Sequence, residues 1–236
     1  MKRLRKLPAV LLAGTALLLS VSNCGKGEAS RPIVNQIQQH VITKTAAPVS
    51  TEDLILVNSW RPISDSYAVD VRELPNGQKV AVECYDDLTR MLDDCADEGM
   101  NPEVCSGFRT IAFQQSLYED KVERVMEEGH ARQDAERIAA TEVARPGTSE
   151  HHTGLAVDII DKDYPVLDDT QEQRPTQQWL LENSWKYGFV LRYPTGKTDI
   201  TGIIYEPWHY RYVGEETARL MVEQDLCLEE FLNIYG

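Results

Sequence analysis

Ser149-Glu150-His151-His152-Thr153-Gly154-Leu155-Ala156-Val157-Asp158 carries two imidazoles and two carboxylates, and Glu206-Pro207-Trp208-His209 later adds an acid three residues before a further imidazole. Two imidazoles and a carboxylate form a donor set for a divalent cation such as zinc. Three protein ligands leave one coordination position for water. A carboxylate beyond the ligand set is the type of group that takes a proton from that water, so the pattern permits metal-assisted hydrolysis. His151 and His152 compete for one donor position, and their spacing does not choose between them.

The elements around these residues must bring them together. A strand over 154–160, entered from a loop, puts Gly154, Ala156 and Asp158 on one face by the period of two. The two small residues leave room there for a cation and a substrate backbone. His151 then sits in the preceding turn, where Thr153-Gly154 can bend it back toward Asp158. The second motif lies within 203–212, which reads as a strand. Glu206 and His209, three apart, face opposite ways on an ideal strand, so Pro207 must kink or bulge the chain to bring both to one site. Trp208 reads as packing that braces this turn. Taken singly, the first motif is a capped strand with a surface histidine pair, and His209 is a buried, hydrogen-bonded histidine.

Elsewhere the pattern predicts a short strand over 54–57 and a helix from Asp86 ending at Gly99, with Leu88, Met91, Leu92 and Cys95 at helical spacing. A strand over 103–105 leads into Ser106-Gly107-Phe108-Arg109-Thr110. Helices follow over 111–128 and 131–143, then a polar loop over 161–175. A helix over 176–187, a strand over 189–193 and a closing helix over 215–225 complete the reading. Helices early and strands late favour an α+β domain with an antiparallel sheet over a doubly wound one.

Bulk properties bound the function. A net charge of −14 on 236 residues, with Lys2, Arg3, Arg5 and Lys6 unopposed in the first 23, leaves a strongly acidic body. Nucleic acid and anionic membrane surfaces repel such a body, so no nucleic-acid partner is expected. The apolar run from Pro8 to about Val21, behind those basic residues, reads as a signal peptide over 1–23 and is too short for a comfortable membrane span. Cys24 resembles the lipid-attachment cysteine of bacterial lipoproteins. Val21 and Ser22 fit that pattern and Asn23 departs from it. A plain secretory signal or an uncleaved anchor is the rival. Residues 24–50 read as a flexible tether and 51–236 as the folded domain. No feature sets an oligomeric state, and a monomer is the expectation.

Cys84, Cys95, Cys105 and Cys227 remain. An even number in an exported chain suggests two disulfides, Cys95–Cys105 and Cys84–Cys227, against the alternative of free buried thiols. There is no HExxH, no G-x-S-x-G, no S-x-x-K, and no cysteine in the setting of a thiol protease.

Together the motifs resemble the VanY-type D-alanyl-D-alanine carboxypeptidases, zinc peptidases of the LAS type, whose pattern is S-x-H-x-x-G-x-A-x-D followed by E-x-W-H. Ser149, His151, Gly154, Ala156 and Asp158 occupy the first part, and Glu206, Trp208 and His209 the second. Ser106 to Thr110, with Gln114, is similar to the family's S-G-Y-R-S segment, with Phe108 and Thr110 as mild departures. The resemblance runs from about 53 to 233. It implies that His151 rather than His152, with Asp158 and His209, binds zinc, and that Glu206 is the catalytic base. It implies that Arg109 contacts substrate and stabilises the oxyanion, with Ser149 and Gln114 helping to bind substrate. The implied fold is an α+β domain with zinc on an antiparallel sheet. The implied reaction is removal of the terminal D-alanine from a peptidoglycan stem peptide. An LD-carboxypeptidase, a D-Ala-D-Ala dipeptidase or an endopeptidase would share the zinc core. A non-catalytic wall-binding lipoprotein is the reading from outside the enzyme class.

Overall fold

Ala156-Val157-Asp158-Ile159-Ile160-Asp161 forms one of the two inner strands of the main sheet, and every one of its residues is buried. The computed structural model of the chain describes residues 54–64 and 66–236. The expected signal peptide and tether lie outside these residues. No helix among the described residues is long and apolar enough to cross a membrane.

Among the described residues six strands and seven α-helices follow in chain order. They are β1 (Val71–Glu73), β2 (Lys79–Ala81), α1 (Val82–Asp97), β3 (Pro102–Ser106), α2 (Ile111–Glu127), α3 (Arg132–Ala139) and β4 (Ala156–Asp161). Then come α4 (Pro175–Asn183), β5 (Phe189–Leu191), α5 (Thr198–Thr201), β6 (His209–Tyr212), α6 (Glu215–Glu223) and α7 (Leu228–Tyr235). Strands β3, β4, β6 and β5 lie in that order in one sheet, antiparallel throughout. The expected α+β class with an antiparallel sheet is what the chain adopts.

Period two divides the sheet into a core face and a site face. Val157 and Ile159 of β4 pack with Leu88 and Met91 of α1 and Trp179 and Leu180 of α4. Asp158 and Ile160 face the other way, into a cavity. α1 forms because Cys84, Leu88, Met91 and Cys95 recur at helical spacing and are buried on one side. α2 starts where the Thr110 hydroxyl accepts the Phe113 N–H, the preferred chemistry of a helix start. It packs on α3 through Tyr118, Val122, Val125, Ala135 and Ala139. Helices α6 and α7 cover the end of the sheet at β5 through Ala218, Met221, Leu228 and Phe231.

Several expectations are corrected. Residues 54–57 form no strand; Asn58 and Arg61 make an isolated bridge instead. The strand expected over 203–212 begins only at His209, because irregular chain and the turn at 207–208 occupy its first part. The β1–β2 hairpin and α7 were not expected. Three-residue strands carry too little alternation to stand out. The hairpin nevertheless positions the site: Lys79 carbonyl accepts the Phe108 N–H, Ala81 N–H donates to Gly154 carbonyl, and Asn76 Nδ2 donates to Val104 carbonyl.

All four described cysteines are free, in place of the expected disulfides. Cys84 and Cys95 point into the main core from α1. Cys105 sits at the bulge of β3, its thiol toward the Asp158 carbonyl at 3.4 Å. Cys227 starts α7. Cys84, Cys95 and Cys227 serve as small buried side chains, and Cys105 is half-buried.

Candidate metal centre

Register carries the first part of the geometry. In the antiparallel ladders Asp158 lies opposite His209 on β6 and opposite Ser106 on β3, so three strands put these residues in one row. His151 arrives from a single 3-10 turn, Glu150–Thr153, that starts where Ser149 Oγ accepts the His151 N–H and stops at Gly154. Gly154 has φ 71, and an added Cβ would lie 2.9 Å from the Ala81 nitrogen. Only glycine can turn the chain there, and that turn folds His151 back over Asp158.

The kink expected at Pro207 takes a definite form. Residues 206–209 make a turn closed by the His209 N–H to the Glu206 carbonyl (3.2 Å). Glu206 therefore stands outside β6, its carboxylate 3.8 Å from His209 Nδ1. The turn removes the problem of two residues three apart on one strand.

One donor atom from each of His151, Asp158 and His209 lies within 4.8 Å of the others. His151 Nε2 is 3.3 Å from Asp158 Oδ2, and His209 Nδ1 is 3.0 Å from Asp158 Oδ1. The two imidazole rings meet nearly edge to face, centroids 4.9 Å apart. His151 Nδ1 donates to the Gly107 carbonyl at 2.7 Å, which leaves the Nε2 lone pair directed at the site. His152 is occupied otherwise. Its Nδ1 donates to the Arg109 carbonyl (2.8 Å) and its Nε2 accepts the Gly147 N–H (3.1 Å). The adjacent histidine is a brace between two loops, and the choice between the pair is settled by which nitrogen is left over.

Arg109 donates to Asp158 Oδ2, to Ser106 Oγ (2.8 Å) and to Gln114 Oε1 (3.3 Å). Gln114 is buried and its Nε2 donates to the Ala144 carbonyl. Both ends of that amide are used in holding Arg109. All seven residues singled out in the sequence (Arg109, Gln114, Ser149, His151, Asp158, Glu206 and His209) line one cavity of about 660 Å3. Phe108, Phe113, Leu117 and Ile204 supply apolar wall.

Burial first, and the Arg109 charge next, hold the His151 imidazole down to about 4, so it is neutral at pH 7 with a lone pair to donate. Asp158 stays well below the ordinary carboxylate range despite burial, because His151 and Arg109 face it. Burial pushes the Glu206 carboxyl up to about 8, and the Asp158 charge adds to this. Burial pulls His209 down, yet the carboxylates of Asp158 and Glu150 outweigh it and raise the ring to about 9.

The donor set fits a zinc-type ion: two imidazole nitrogens and one carboxylate, all buried, with the His151 tautomer fixed by the Gly107 carbonyl. Sequence reasoning missed Glu150, Arg192, Arg211 and Tyr193. The Tyr193 ring packs on His209 with centroids 4.7 Å apart. Nothing in the linear order of these residues signals a shared location.

The family model for D-alanyl-D-alanine carboxypeptidase (VanY) matches residues 77–215. A D-alanyl-D-alanine carboxypeptidase of Enterococcus faecalis (strain ATCC 700802 / V583) is 40% identical over 209 residues, covering 89% of this chain and 75% of that protein. Among solved structures, VanYB in complex with D-alanine-D-alanine is 43% identical with a TM-score of 0.72, covering 78% of this chain and 98% of its own. A mutant of the vancomycin resistance D,D-pentapeptidase VanY from the VanB-type resistance cassette, in complex with Zn(II), is also 43% identical. Its TM-score is 0.71, over 76% of this chain and 98% of its own.

Proposed function

Because this chain belongs to the VanY family of D-alanyl-D-alanine carboxypeptidases, we propose that it is a zinc carboxypeptidase removing the terminal D-alanine from peptidoglycan stem peptides. The observation that carries this reading is the convergence of His151, Asp158 and His209 at the floor of a cavity that Glu206 also lines. His151, Asp158 and His209 would hold the zinc. Bound there, zinc supplies a Lewis acid that acidifies a water and polarises a carbonyl.

The chain's own residues account for the rest. Glu206, buried and beside His209, accepts the proton of the attacking water and later returns it to the leaving amine. Arg109 is held by Ser106 and Gln114, so its guanidinium enters the cavity in a fixed orientation. It is placed to donate to the oxyanion that develops on the scissile carbonyl, or to the terminal carboxylate of the substrate. Ser149, buried at the cavity wall, adds a hydroxyl for substrate. The apolar wall excludes water around the peptide, which strengthens each of these interactions.

The basic start, apolar run and Cys24 support export through a signal over 1–23 and anchoring by a lipidated Cys24. That arrangement would set the domain on a tether at the outer face of the membrane, beside its substrate. Mass measurement of the mature chain tests it; an intact Met1 on the mature protein overturns it.

Activity is tested by incubating the protein with pentapeptide stems ending in D-Ala-D-Ala, tetrapeptide stems, free D-Ala-D-Ala and crosslinked dimers, with and without chelator. The expected result is chelator-sensitive loss of one alanine mass from the pentapeptide. Cleavage of the tetrapeptide, the free dipeptide or the crosslink alone would select the LD-carboxypeptidase, dipeptidase or endopeptidase reading. No cleavage of any by zinc-loaded protein would leave a wall-binding protein.

A further inference from the structure

Glu150 is the one buried acid around the metal centre to which the mechanism assigns nothing. It is 1% exposed. Its Oε1 accepts from Arg192 Nε at 2.8 Å and from Arg211 Nη1 at 2.9 Å. Both arginines are themselves fully buried and tied down on their far sides. Arg192 grips the Glu229 carboxylate with two nitrogens, at 2.8 and 2.7 Å. Arg211 Nη2 donates to the Ile55 carbonyl at 2.7 Å. The other oxygen of Glu150, Oε2, has no hydrogen-bond partner among the described residues, and neither has His209 Nε2. These two partnerless buried atoms face each other at 3.7 Å.

The backbone explains the meeting. Arg211 follows His209 by two on β6, so both side chains leave the same face of the strand. Arg192 N–H donates to the His209 carbonyl at 3.0 Å, which places the second arginine alongside. The 3-10 turn that sends His151 over Asp158 sends Glu150 under His209. Two arginines therefore pin one carboxylate oxygen and leave the second aimed at the back of an imidazole whose front nitrogen faces Asp158.

We propose that Glu150 is a positioning residue for the metal centre, accepting the Nε2–H of His209 so that Nδ1 is presented to zinc, with Arg192 and Arg211 fixing the carboxylate for that purpose. Hydrogen bonds at such sites are often long before the site is engaged and tighten when it is. A carboxylate behind a ligating imidazole fixes its tautomer and ring orientation, and losing such a partner weakens metal binding roughly 10–100-fold. The proposal rests on His209 being a zinc ligand, and the test separates the two claims.

Zinc affinity of the full chain is measured by competition with a chromophoric chelator, well below the melting temperature, for wild type, Glu150→Gln, Arg192→Lys and His209→Ala. Cobalt-substituted spectra are recorded in parallel. Wild type taking up zinc and His209→Ala losing it establishes the ligand; wild type failing to bind zinc overturns the ligand set itself. With the ligand established, Glu150→Gln is expected to bind zinc roughly 10–100-fold more weakly with an altered cobalt spectrum, while Arg192→Lys, which keeps the carboxylate, loses less. A folded Glu150→Gln with wild-type zinc affinity and cobalt spectrum overturns the proposal, since a purely structural ion-pair knot would lower only the melting temperature. Where the variant does not fold, the wild-type zinc protein decides by long-range proton–nitrogen NMR. A slowly exchanging His209 Nε2–H supports the proposal, and a bare or freely exchanging Nε2 overturns it.

Discussion

Glu206→Gln changes a proton acceptor and little else. The side chain is isosteric, Glu206 is 7% exposed, and among the described residues its one ion-pair contact is His209 Nδ1 at 3.8 Å. Neither the three donors nor the cavity shape depends on its charge, so zinc content and KM should stay near wild type. The rate should not. General-base catalysis is worth roughly 10²–10⁴-fold, or about 2.7–5.4 kcal/mol of barrier at 1.36 kcal/mol per decade. Burial lifts the carboxyl to about 8, and a nearby cation draws it back toward neutrality. Its proton affinity then lies close to that of a zinc-acidified water, near about 7. Such a match puts the expected loss in the upper half of the range, about 10³–10⁴-fold in kcat. The assay is alanine release from a pentapeptide stem at saturating substrate, with zinc measured on the same sample. The metal-free protein gives a second readout with a definite sign. A buried acid whose folded pKa is raised from 4.5 makes wild-type stability fall as pH rises from about 4.5 to 8. The glutamine variant lacks that slope and should be the more stable apoprotein at pH 7. Turnover within tenfold of wild type, with zinc retained, would refute Glu206 as the base.

Asp158→Ala removes the donor shared by both histidines. Its zinc affinity should fall by more than the roughly 10–100-fold that an outer partner is worth, read by metal analysis after dialysis; full occupancy contradicts the ligand set. Gly154→Ala meets both a φ of 71 and the Ala81 nitrogen 2.9 Å away. It should cost roughly 1–3 kcal/mol in urea unfolding and weaken zinc binding by moving His151. An unchanged midpoint and affinity contradict that account of the turn. Alkylation under denaturing, non-reducing conditions, followed by peptide mapping, should label Cys84, Cys95, Cys105 and Cys227. Recovery of a linked Cys95–Cys105 or Cys84–Cys227 peptide pair contradicts the free-thiol packing.

The chemistry was legible in the linear sequence because metal ligation restricts residue types: two histidines, an aspartate and a glutamate in short fixed motifs have few other uses in combination. The α+β class and the main helices were legible too, since the spacing of Leu88, Met91 and Cys95 is itself a physical requirement for a one-sided helix. Short-range patterning failed where long-range contacts decide. The β1–β2 hairpin has too few residues to announce itself, yet it anchors the loop before Arg109 and the turn at Gly154. The strand expected over 203–212 gave way to a turn, because Glu206 and His209 reach one cavity only if the chain reverses between them. Cysteine count suggested disulfides, while the fold leaves each described thiol unpaired, three of them buried and Cys105 half-buried.

What the sequence by itself supplied was the inventory: candidate donors, a candidate base, a candidate arginine, and a glycine where the chain must turn. Spacing left His151 and His152 level and the family resemblance favoured His151; the tertiary structure supplies the physical reason, because the Gly107, Arg109 and Gly147 backbones consume the other ring nitrogens. It alone set Glu150 behind His209, since Arg192 comes from just past β5 and Arg211 from β6, far from Glu150 in the chain. Composition and spacing follow from local chemistry, but the direction of a lone pair is fixed by everything packed around the ring.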